Sequence, residues 1–433
     1  MAYHEGRTYE NDFRNFPRQK SGAHAPGATF CRGFYFPNGG EMKTYRYKMY
    51  TKAKDGRLGN QIDRFGIVYN HCIALHRRYY KLTGKSLSRY ELMGHLTKLK
   101  RRARWLGVFA GLDAQAVQQV AERIDKAYKL FFRNLKHKVK TNPPKFKAVK
   151  KYASFTLKQT GYKFENNKVR LGGVWYGYHK SREWKGKIKT VTIKRDRCGD
   201  YWIVVTTDWN EAEALPKSGK SVGYDFGMKT FLVASDYRDI AAPLFMQRAA
   251  KENEKVSREI SSKVLGSNNR SRAVLRKARF MRRLANQRAD FQWKLANRLV
   301  REYDILCFED LNLRGIARQV RKPGKKHGKK RFGRKIGEYG FADFLSKLEY
   351  KALVAGKEVR YVPWNFPSSQ LCHVCKHKNP AVKDLKVRKW VCPKCGTEHD
   401  RDHNAAMNIY LEGTSSSGRG SSKSTVSRSE AVA

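Results

Sequence analysis

A strict alternation of apolar and polar residues marks the first regular element of the chain. In the stretch MKTYRYKMY, Tyr45, Tyr47 and Met49 fall on one side, and the intervening residues are basic or polar. This period of two predicts a half-buried β-strand. The basic side suits a phosphate backbone, although an ordinary solvated surface gives the same pattern.

The period lengthens to three or four between about residues 58 and 136, which predicts a bundle of three or four helices. Ser88 and Glu91 have the spacing of a capping box, so one helix is expected to begin there. Basic clusters such as LKRRARW at 99–105 lie between the apolar positions. The apolar stripes comprise Ile62, Phe65, Tyr69 and Cys72, and then Val117, Val120, Ile124, Phe131 and Leu135.

Short strands divided by tight turns follow in residues 152–208. They are FTLKQTGYKF, KVRLGGVWYGY, GKIKTVTIKRD and DYWIVVTTD, with turns at NN, GG and CGD. Four or more such strands predict a small barrel or sandwich, which the strand at 42–50 would complete. The helical block would then be an insertion between strands of the barrel.

From about residue 216, strands and helices alternate, which indicates an α/β layer. SVGYDFGMKTFLVASD has the pattern of two strands around a turn, and DILCFEDL that of a third strand ending in acids. A basic helical region spans about 245–302 with a break at GSNNRS, and a helix at 340–356 precedes the strand EVRYVPW. We interpret residues 1–41 as a flexible or partner-ordered extension, RKPGKKHGKKRFGRK as a mobile loop and the Ser-rich end as a low-complexity tail.

Charge narrows the class of partner. The chain has 91 Lys and Arg residues against 38 Asp and Glu, a net charge of +53 that is spread along most of its length. Because each neutralised phosphate releases counterions, this excess favours nucleic acid, and no small-molecule substrate is expected. A membrane is disfavoured, since there is no apolar run of about 18 residues and no signal-peptide core at the start. We expect an intracellular, soluble protein.

Four of the eight cysteines form two CxxC pairs, Cys372 with Cys375 and Cys392 with Cys395. Two such knuckles supply four thiolates to one tetrahedral Zn²⁺ and leave no position for water, so the expected zinc is structural rather than catalytic. Gly396 would ease the second turn. The competing interpretation is a redox CxxC. His373, His377 and His399 could substitute as ligands, but we expect them at the surface.

Acidic residues at strand ends form the second candidate site. Asp225 lies between two aromatic residues, where a buried carboxylate is costly unless a cation or several donors meet it. Glu309 ends ILCFE in the same way, and the stretch DRDHNAAMNI adds Asp400 and Asp402. Three carboxylates at one sheet edge would hold Mg²⁺ or Mn²⁺. Strand-end acids also cap turns and helices, so spacing alone leaves both interpretations open.

The motifs GYDFGMKT, FEDLNLRG, the CxxC pairs and DRDHNAAMNI occur in this order, with a basic helical segment between the first two. This arrangement closely resembles the nuclease half of TnpB proteins of IS200/IS605-type transposons, which are relatives of type V CRISPR effectors. Upstream, KTYRYKMY, IVYNHCIALHRRYYKLTGKSLS, FFRNLK and GKIKTVTIKRD resemble the N-terminal half, so the resemblance covers about 42–412. Residues 1–41 and the basic loop at 321–335 have no close counterpart.

The resemblance implies a multidomain α+β fold with an RNase H-like (RuvC) α/β nuclease domain, an inserted zinc ribbon and a wedge-type β-barrel interrupted by a helical recognition domain. The expected segments are a flexible extension at 1–41, the barrel at 42–57 and 137–215, the helical domain at 58–136, the nuclease domain at 216–366, the zinc ribbon, which would bind target nucleic acid, at 367–399, the final nuclease helix at 400–412 and a disordered tail at 413–433.

The resemblance also implies roles for individual residues. Asp225 and Glu309 match the first and second catalytic acids, and Asp402, two residues before the Asn-Ala pair, matches the third in preference to Asp400. These three carboxylates would bind Mg²⁺ or Mn²⁺. Arg388 lies where relatives often have an arginine near the active site, and a contact with the substrate phosphate is our hypothesis for it.

The implied function is RNA-guided cleavage of DNA by a prokaryotic, cytoplasmic protein at the nucleoid. A transposon-encoded guide RNA would pair with double-stranded target DNA beside a short flanking motif, and a single RuvC-like site would cut with Mg²⁺. The alternatives are a compact type V CRISPR effector, a nuclease-inactive RNA-guided DNA-binding repressor and a guide-free zinc-ribbon DNA-binding protein. The guide, the flanking motif, the cleavage pattern and the number of copies per RNA, one or two, stay open.

Overall fold

A computed structural model describes residues 42–50, 56–139, 141–209, 214–227, 230–311, 337–384 and 386–415. The predicted N-terminal extension, the basic loop at 321–335 and all but the first residues of the predicted tail lie outside this part of the chain. No helix within it is long and apolar enough to cross a membrane.

The N-terminal half is built on a seven-stranded antiparallel sheet. Its strands are β1 Met42–Tyr50, β2 Ser154–Leu157, β3 Tyr162–Glu165, β4 Lys168–Leu171, β5 Val174–Tyr178, β6 Ile188–Arg195 and β7 Tyr201–Asp208. Their order is β2-β6-β7-β1-β5-β4-β3, so the early strand β1 lies in the middle of the sheet. Tyr45, Tyr47 and Met49 are all buried, which confirms the face predicted from the alternation.

A small barrel or sandwich was predicted, and the described residues form an open antiparallel sheet. Among the described residues, β2 pairs only with β6 and β3 only with β4, so the two edges do not meet. The helical block covers the β2 edge instead. Arg123 donates to the Ser154 carbonyl at 2.9 Å, and the rings of Phe65 and Phe155 stack at 5.0 Å. The edge carbonyl is therefore satisfied without a further strand.

Four helices lie between β1 and β2, which confirms the predicted insertion. They are α1 Arg57–Thr83, α2 Arg89–Lys100, α3 Ala103–Phe109 and α4 Ala114–Lys136. The capping box is present, with Ser88 N–H donating to Glu91 at 2.7 Å. One predicted core residue is wrong: Leu135 is 48% exposed, because it lies in the last turn of α4, beyond the helices that cover Ile124.

A five-stranded mixed sheet organises the C-terminal half. Its strands are β8 Ser221–Phe226, β9 Thr230–Ala234, β10 Ile240–Ala241, β11 Ile305–Glu309 and β12 Glu358–Val362, in the order β10-β9-β8-β11-β12. Strands β8, β11 and β12 are parallel, while β9 and β10 run antiparallel to their neighbours. This arrangement confirms the predicted α/β layer.

Helices cover both faces of the mixed sheet. They are α7 Asn268–Glu302 and α8 Phe341–Ala355 on one face and α9 Arg401–Thr414 on the other, while the preceding α5 Phe245–Arg248 and α6 Ala250–Ser261 pack on α7. Side chains from α7 and α8 pack on Val222, Tyr224 and Phe308. On the other face, Ile409 of α9 packs on Cys307. Because side chains alternate along a strand, Asp225 and Glu309 lie on the face that α9 covers.

A small hairpin connects this sheet to its last helix. Strands β13 Lys389–Val391 and β14 Glu398–Asp400 pair antiparallel, and a 3₁₀ turn, Pro380–Lys383, precedes them. The chain passes from β14 directly into α9. A helix that covers the strand-end acids therefore begins where the cysteine-rich hairpin ends.

Candidate metal centres

The four cysteine thiols of the CxxC pairs converge on one point. Their Sγ atoms all lie within 4.8 Å of one another, with Cys372 to Cys395 at 3.6 Å and Cys375 to Cys392 at 3.5 Å. A tetrahedral Zn²⁺ with Zn–S bonds of about 2.3 Å would place the sulfurs about 3.8 Å apart. The donor set fits zinc and leaves no ligand position open.

Both knuckles use the same backbone turn. The N–H of Lys376 donates to the Cys372 carbonyl and that of Gly396 to the Cys392 carbonyl, each at 2.9 Å. Both residues adopt positive φ, +60° and +72°. Glycine suits that conformation, which supports the role predicted for Gly396.

Hydrogen bonds tie the thiol cluster to helix α9. Asn404 and Asn408, one turn apart and buried, both donate to the Leu371 carbonyl, at 2.7 and 2.6 Å. Asn404 also accepts from the His373 N–H at 3.1 Å, and Nε2 of His399 lies 3.1 Å from the Cys372 thiol. The first knuckle is thereby fixed to the start of α9.

Two of the predicted acids stand side by side on parallel strands. Tyr224 of β8 pairs in register with Phe308 of β11, and Asp225 and Glu309 follow these partners. Neighbouring strands are about 4.8 Å apart, so the two carboxylates leave the sheet at the same level and on the same face. The structure brings together residues that are far apart in the sequence.

Helix α9 brings Asp402 to the same place. A side chain on Gly223 would meet backbone atoms of α9, since its Cβ would lie 2.5 Å from the Ala406 carbonyl oxygen. The helix therefore crosses β8 in backbone contact, two residues before Asp225. Asp400 caps the helix by accepting from the N–H groups of Asp402 and His403, at 3.0 and 3.1 Å. Capping and proximity to Asp225 thus belong to two different aspartates.

Burial and mutual repulsion raise the pKa of both strand carboxyls. The pKa of Asp225 rises to about 6, first because it is buried and then because Asp402 is a nearby negative charge. The pKa of Glu309 rises to about 7 because of burial and the charge of Asp225. Three acids that repel one another in this way form a site that a cation would stabilise.

Arg388 is the cation that contacts this group in the structure. Its guanidinium pairs with Asp402 at 3.1 Å, with the two side chains 59% and 38% exposed. In the described part of the chain, the acids do not form a group within 4.8 Å as the cysteines do. Sequence analysis identified all four charged residues but not their pairing.

The expected surface position of His399 is wrong, since the residue is 4% exposed and contacts the Cys372 thiol. The roles of the two buried asparagines were not predicted from the sequence. Asn404 and Asn408 interrupt the apolar side of NAAMNI at a spacing of four, which places them on one helix face. A polar residue repeated on the buried face indicates a specific hydrogen-bond partner. The spacing of the asparagines was therefore a usable signal in the sequence. It did not show that their partner is the backbone of the first knuckle.

Two family models match the C-terminal half of the chain in sequence order. The model described as "Probable transposase" (OrfB_IS605) matches residues 202–320 and contains the two strand acids. The model described as "Cas12f1-like, TNB domain" matches residues 341–409 and contains the four cysteines and Asp402. Both candidate centres therefore lie within matched regions.

Known proteins resemble the chain over most of its length. A Streptomyces pristinaespiralis protein provisionally named RNA-guided DNA endonuclease is 28% identical over 87% of this chain and 91% of its own. The similarly provisional RNA-guided DNA endonuclease InsQ of Escherichia coli is 27% identical over 80% and 86%. The Cas12f1 structure in complex with sgRNA and target DNA shares the fold, with a TM-score of 0.51, 15% identity and 83% coverage of both chains. The chain thus has regions that match the "Probable transposase" (OrfB_IS605) model and the Cas12f1-like model, and the resemblance to TnpB seen in its motifs is confirmed.

Proposed function

We propose that the chain is an RNA-guided DNA endonuclease of TnpB type that cuts at a single divalent-metal site. The observation that carries this proposal is the position of Asp225 and Glu309 on neighbouring parallel strands, with Asp402 nearby on the helix that crosses β8. A closed four-thiol cluster lies just before that helix. The provisional names of the two relatives support the same activity.

The proposed domains follow the two sheets. The mixed sheet and its helices, 216–366 with 400–412, form an RNase H-like (RuvC) nuclease domain, and 367–399 is a zinc ribbon that binds target nucleic acid. The open antiparallel sheet, 42–57 with 137–215, is the wedge domain, interrupted by a helical recognition domain at 58–136. The match in fold to the Cas12f1 chain and the insertion of four helices after β1 support this division.

In the nuclease domain, Asp225, Glu309 and Asp402 would hold Mg²⁺ or Mn²⁺, since carboxylate oxygens are the ligands these ions prefer. The bound ion supplies an activated water and stabilises charge on the phosphodiester. The protein's own part is to keep the acids close despite their repulsion. Strands β8 and β11 fix two of them, and the Asp400 cap fixes the helix turn that carries the third. Arg388 would then contact the substrate phosphate.

The guide RNA and the double-stranded target would be held through their phosphates. Basic and aromatic side chains are combined on both N-terminal domains, with Arg46 over Trp202 at 3.7 Å on the sheet and Arg77 over Phe146 at 4.7 Å beside the helices. The net charge of +53 is consistent with such partners and predicts strongly salt-dependent binding. Pairing with the guide would supply sequence specificity, and the protein would read only the flanking motif.

The test is co-expression with the flanking genomic DNA, sequencing of the RNA that co-purifies, and cleavage of a plasmid library with randomised flanks. We expect one dominant small RNA and magnesium-dependent cutting beside one flank sequence. Asp225→Ala should bind the same RNA without cutting, and Glu165→Ala, which removes an exposed acid from a distant hairpin, should cut normally.

The other outcomes identify the rival functions. The absence of a dominant RNA species would support a guide-free DNA-binding protein, and guided binding without cutting by the unmodified chain would support a repressor. The second candidate function, a compact type V CRISPR effector, is supported by the Cas12f1-like match at 341–409. A guide transcribed from a repeat array, rather than from a transposon end, would assign the chain to that class.

A further inference from the structure

We propose that Trp364 is a stacking platform for one nucleobase of the strand that enters the carboxylate site. This inference rests on the proposed function for the identity of the strand. It begins from exposure: the indole is 72% exposed, and no ring pair or cation–π contact of Trp364 is found among the described residues. The large faces of the ring are therefore available to a partner that stacks on them.

Trp364 lies close to the end of the mixed sheet that carries the acids, so a strand bound at the acids would be within its reach. Val362, the last residue of β12, pairs in register with Glu309 of β11, and its carbonyl accepts from the Asp310 N–H at 2.9 Å. Trp364 follows two residues later. Two residues span at most about 7 Å, so the indole emerges from the sheet edge at which the acids lie.

The segment that carries the indole is held at both ends. On one side, Phe366 packs with Val362, and its N–H donates to the Pro363 carbonyl at 3.0 Å. On the other, the Ser368 carbonyl accepts from the buried Asn408 of α9 at 2.9 Å. A ring on a tethered turn loses little conformational freedom when a base stacks on it, which favours binding.

The positive charge of the chain favours a nucleobase of a bound nucleic acid, rather than a protein side chain, as the group that stacks on Trp364. The chain has 53 more positive than negative residues, so a polyanion is the partner most strongly drawn to its surface. In grooves that bind single strands, phosphates contact the cations and bases stack on exposed aromatic rings. Trp364 supplies the aromatic part at the edge where a phosphodiester would be cut.

The test compares two probes of equal charge, a 12-nucleotide oligothymidylate and a 12-nucleotide abasic backbone, binding to the full zinc-loaded chain in Ca²⁺. The Kd of the abasic backbone divided by the Kd of the oligothymidylate measures how much the bases contribute to binding. We expect Trp364→Ala to reduce this ratio by at least fivefold. Trp364→Phe should keep most of it, because the ring remains. Leu265→Ala, which removes an 82% exposed apolar side chain from the turn before α7, should leave it unchanged.

Crosslinking with 5-iodouracil in the same oligonucleotide, mapped by mass spectrometry, locates the contact. A crosslink at Trp364 is expected. An unchanged ratio in Trp364→Ala, or crosslinks only elsewhere, would overturn the inference. Neither measurement needs a guide RNA or cleavage. The stacking role of Trp364 can therefore be disproved while the nuclease activity is confirmed, and it can be confirmed while no guided cleavage is found.

Discussion

Arg388 donates from a single guanidinium nitrogen, Nη1, to both carboxylate oxygens of Asp402, at 3.2 and 3.1 Å. Its carbonyl also accepts from the Arg401 N–H at 2.8 Å, which ties the hairpin to the first residue of α9. The guanidinium thus neutralises the carboxylate that is proposed as the third metal ligand. A divalent cation that uses both Asp402 oxygens has to displace it.

Removal of this guanidinium should strengthen binding of a divalent cation to the guide-free chain. We expect Arg388→Gln to bind Mn²⁺ about two- to fivefold more tightly, a modest change because exposed ion pairs contribute only about 0–1 kcal/mol. Titration followed by electron paramagnetic resonance of free Mn²⁺ measures it. The matched control is Lys386→Gln, which removes an exposed charge two residues away. Equal tightening in both variants would mean that only net charge matters.

Loss of Asp225 should separate activity from stability. We expect Asp225→Asn to lower the cleavage rate by about 10⁴-fold or more while guide RNA binding is kept. In the absence of metal, the same change should raise the free energy of unfolding near pH 8 by about 1–3 kcal/mol, because it removes repulsion from Asp402 and Glu309. Cleavage assays and chemical denaturation measure the two effects. Normal cutting, or a less stable variant, would contradict the assignment.

The asparagine contacts predict that zinc affects the magnesium site. Stripping the thiol cluster with a strong chelator should loosen the first turn of α9, and fresh Mg²⁺ alone should not restore cutting. Asn404→Ala should have a milder effect of the same kind. We expect the free energy of unfolding to fall by about 1–3 kcal/mol, since the Leu371 carbonyl then has one donor fewer. Hydrogen exchange of α9 measures the loosening without reference to activity.

A control for this coupling lies in the same hairpin region. The Asn379 side chain accepts from the Ala381 N–H at 3.1 Å, a local cap within its own turn, so Asn379→Ala should leave exchange in α9 unchanged. If the zinc-free chain cuts normally once Mg²⁺ is added, the two centres are independent.

The ion pair at the other end of the mixed sheet predicts a loss of stability in acid. Hydrogen bonds from Lys357 and from the N–H groups of Ser218 and Gly219 hold the pKa of Asp304 well below its usual value. The folded state therefore binds this proton more weakly than the unfolded chain does. Its stabilisation is complete above the unfolded pKa, about 3.9, and is lost as the pH falls through the lower folded value.

Denaturant midpoints measured from pH 6 to pH 3 test this relationship. The denaturant midpoint of the unmodified chain should fall steeply below pH 4. The midpoint of Asp304→Asn should be lower at pH 6 and should fall less as the pH decreases. Asp290→Asn, which removes an exposed acid paired with Lys294 on α7, should follow the unmodified chain. Parallel curves for all three proteins would show that Asp304 does not contribute.

Local periodicity predicted the elements well because their burial follows from short-range spacing. The alternation around Tyr47 and the capping box at Ser88 each need only a few neighbouring residues, and both were confirmed. Local periodicity could not predict whether the strands close into a barrel, because closure depends on whether two edge strands meet. That depends on what else reaches the edge, here Arg123 from a helix inserted earlier in the chain.

In the candidate sites, too, the features that depend on local spacing were predicted, and those that depend on contacts between distant segments were not. The cysteine knuckles follow from spacing, whereas the grouping of Asp225 with Glu309 and Asp402 required the resemblance to TnpB. The contact at Gly223 could not be predicted, since a glycine in a strand does not reveal that α9 lies against it. The pairing of Arg388 with Asp402 likewise depends on how the hairpin folds back on the helix that follows it.

Because α9 supplies the last carboxylate, the order of biosynthesis matters. At usual rates of translation, residue 402 is made roughly 10 to 35 s after residue 225. During that interval the antiparallel sheet, the inserted helices and strands β8 and β11 are already available to fold and to attract RNA. The acids at 225 and 309 then await their third partner. Under the proposed function, a chain interrupted before α9 could hold nucleic acid but not cut it, so a damaged message yields a binder rather than an unguided nuclease.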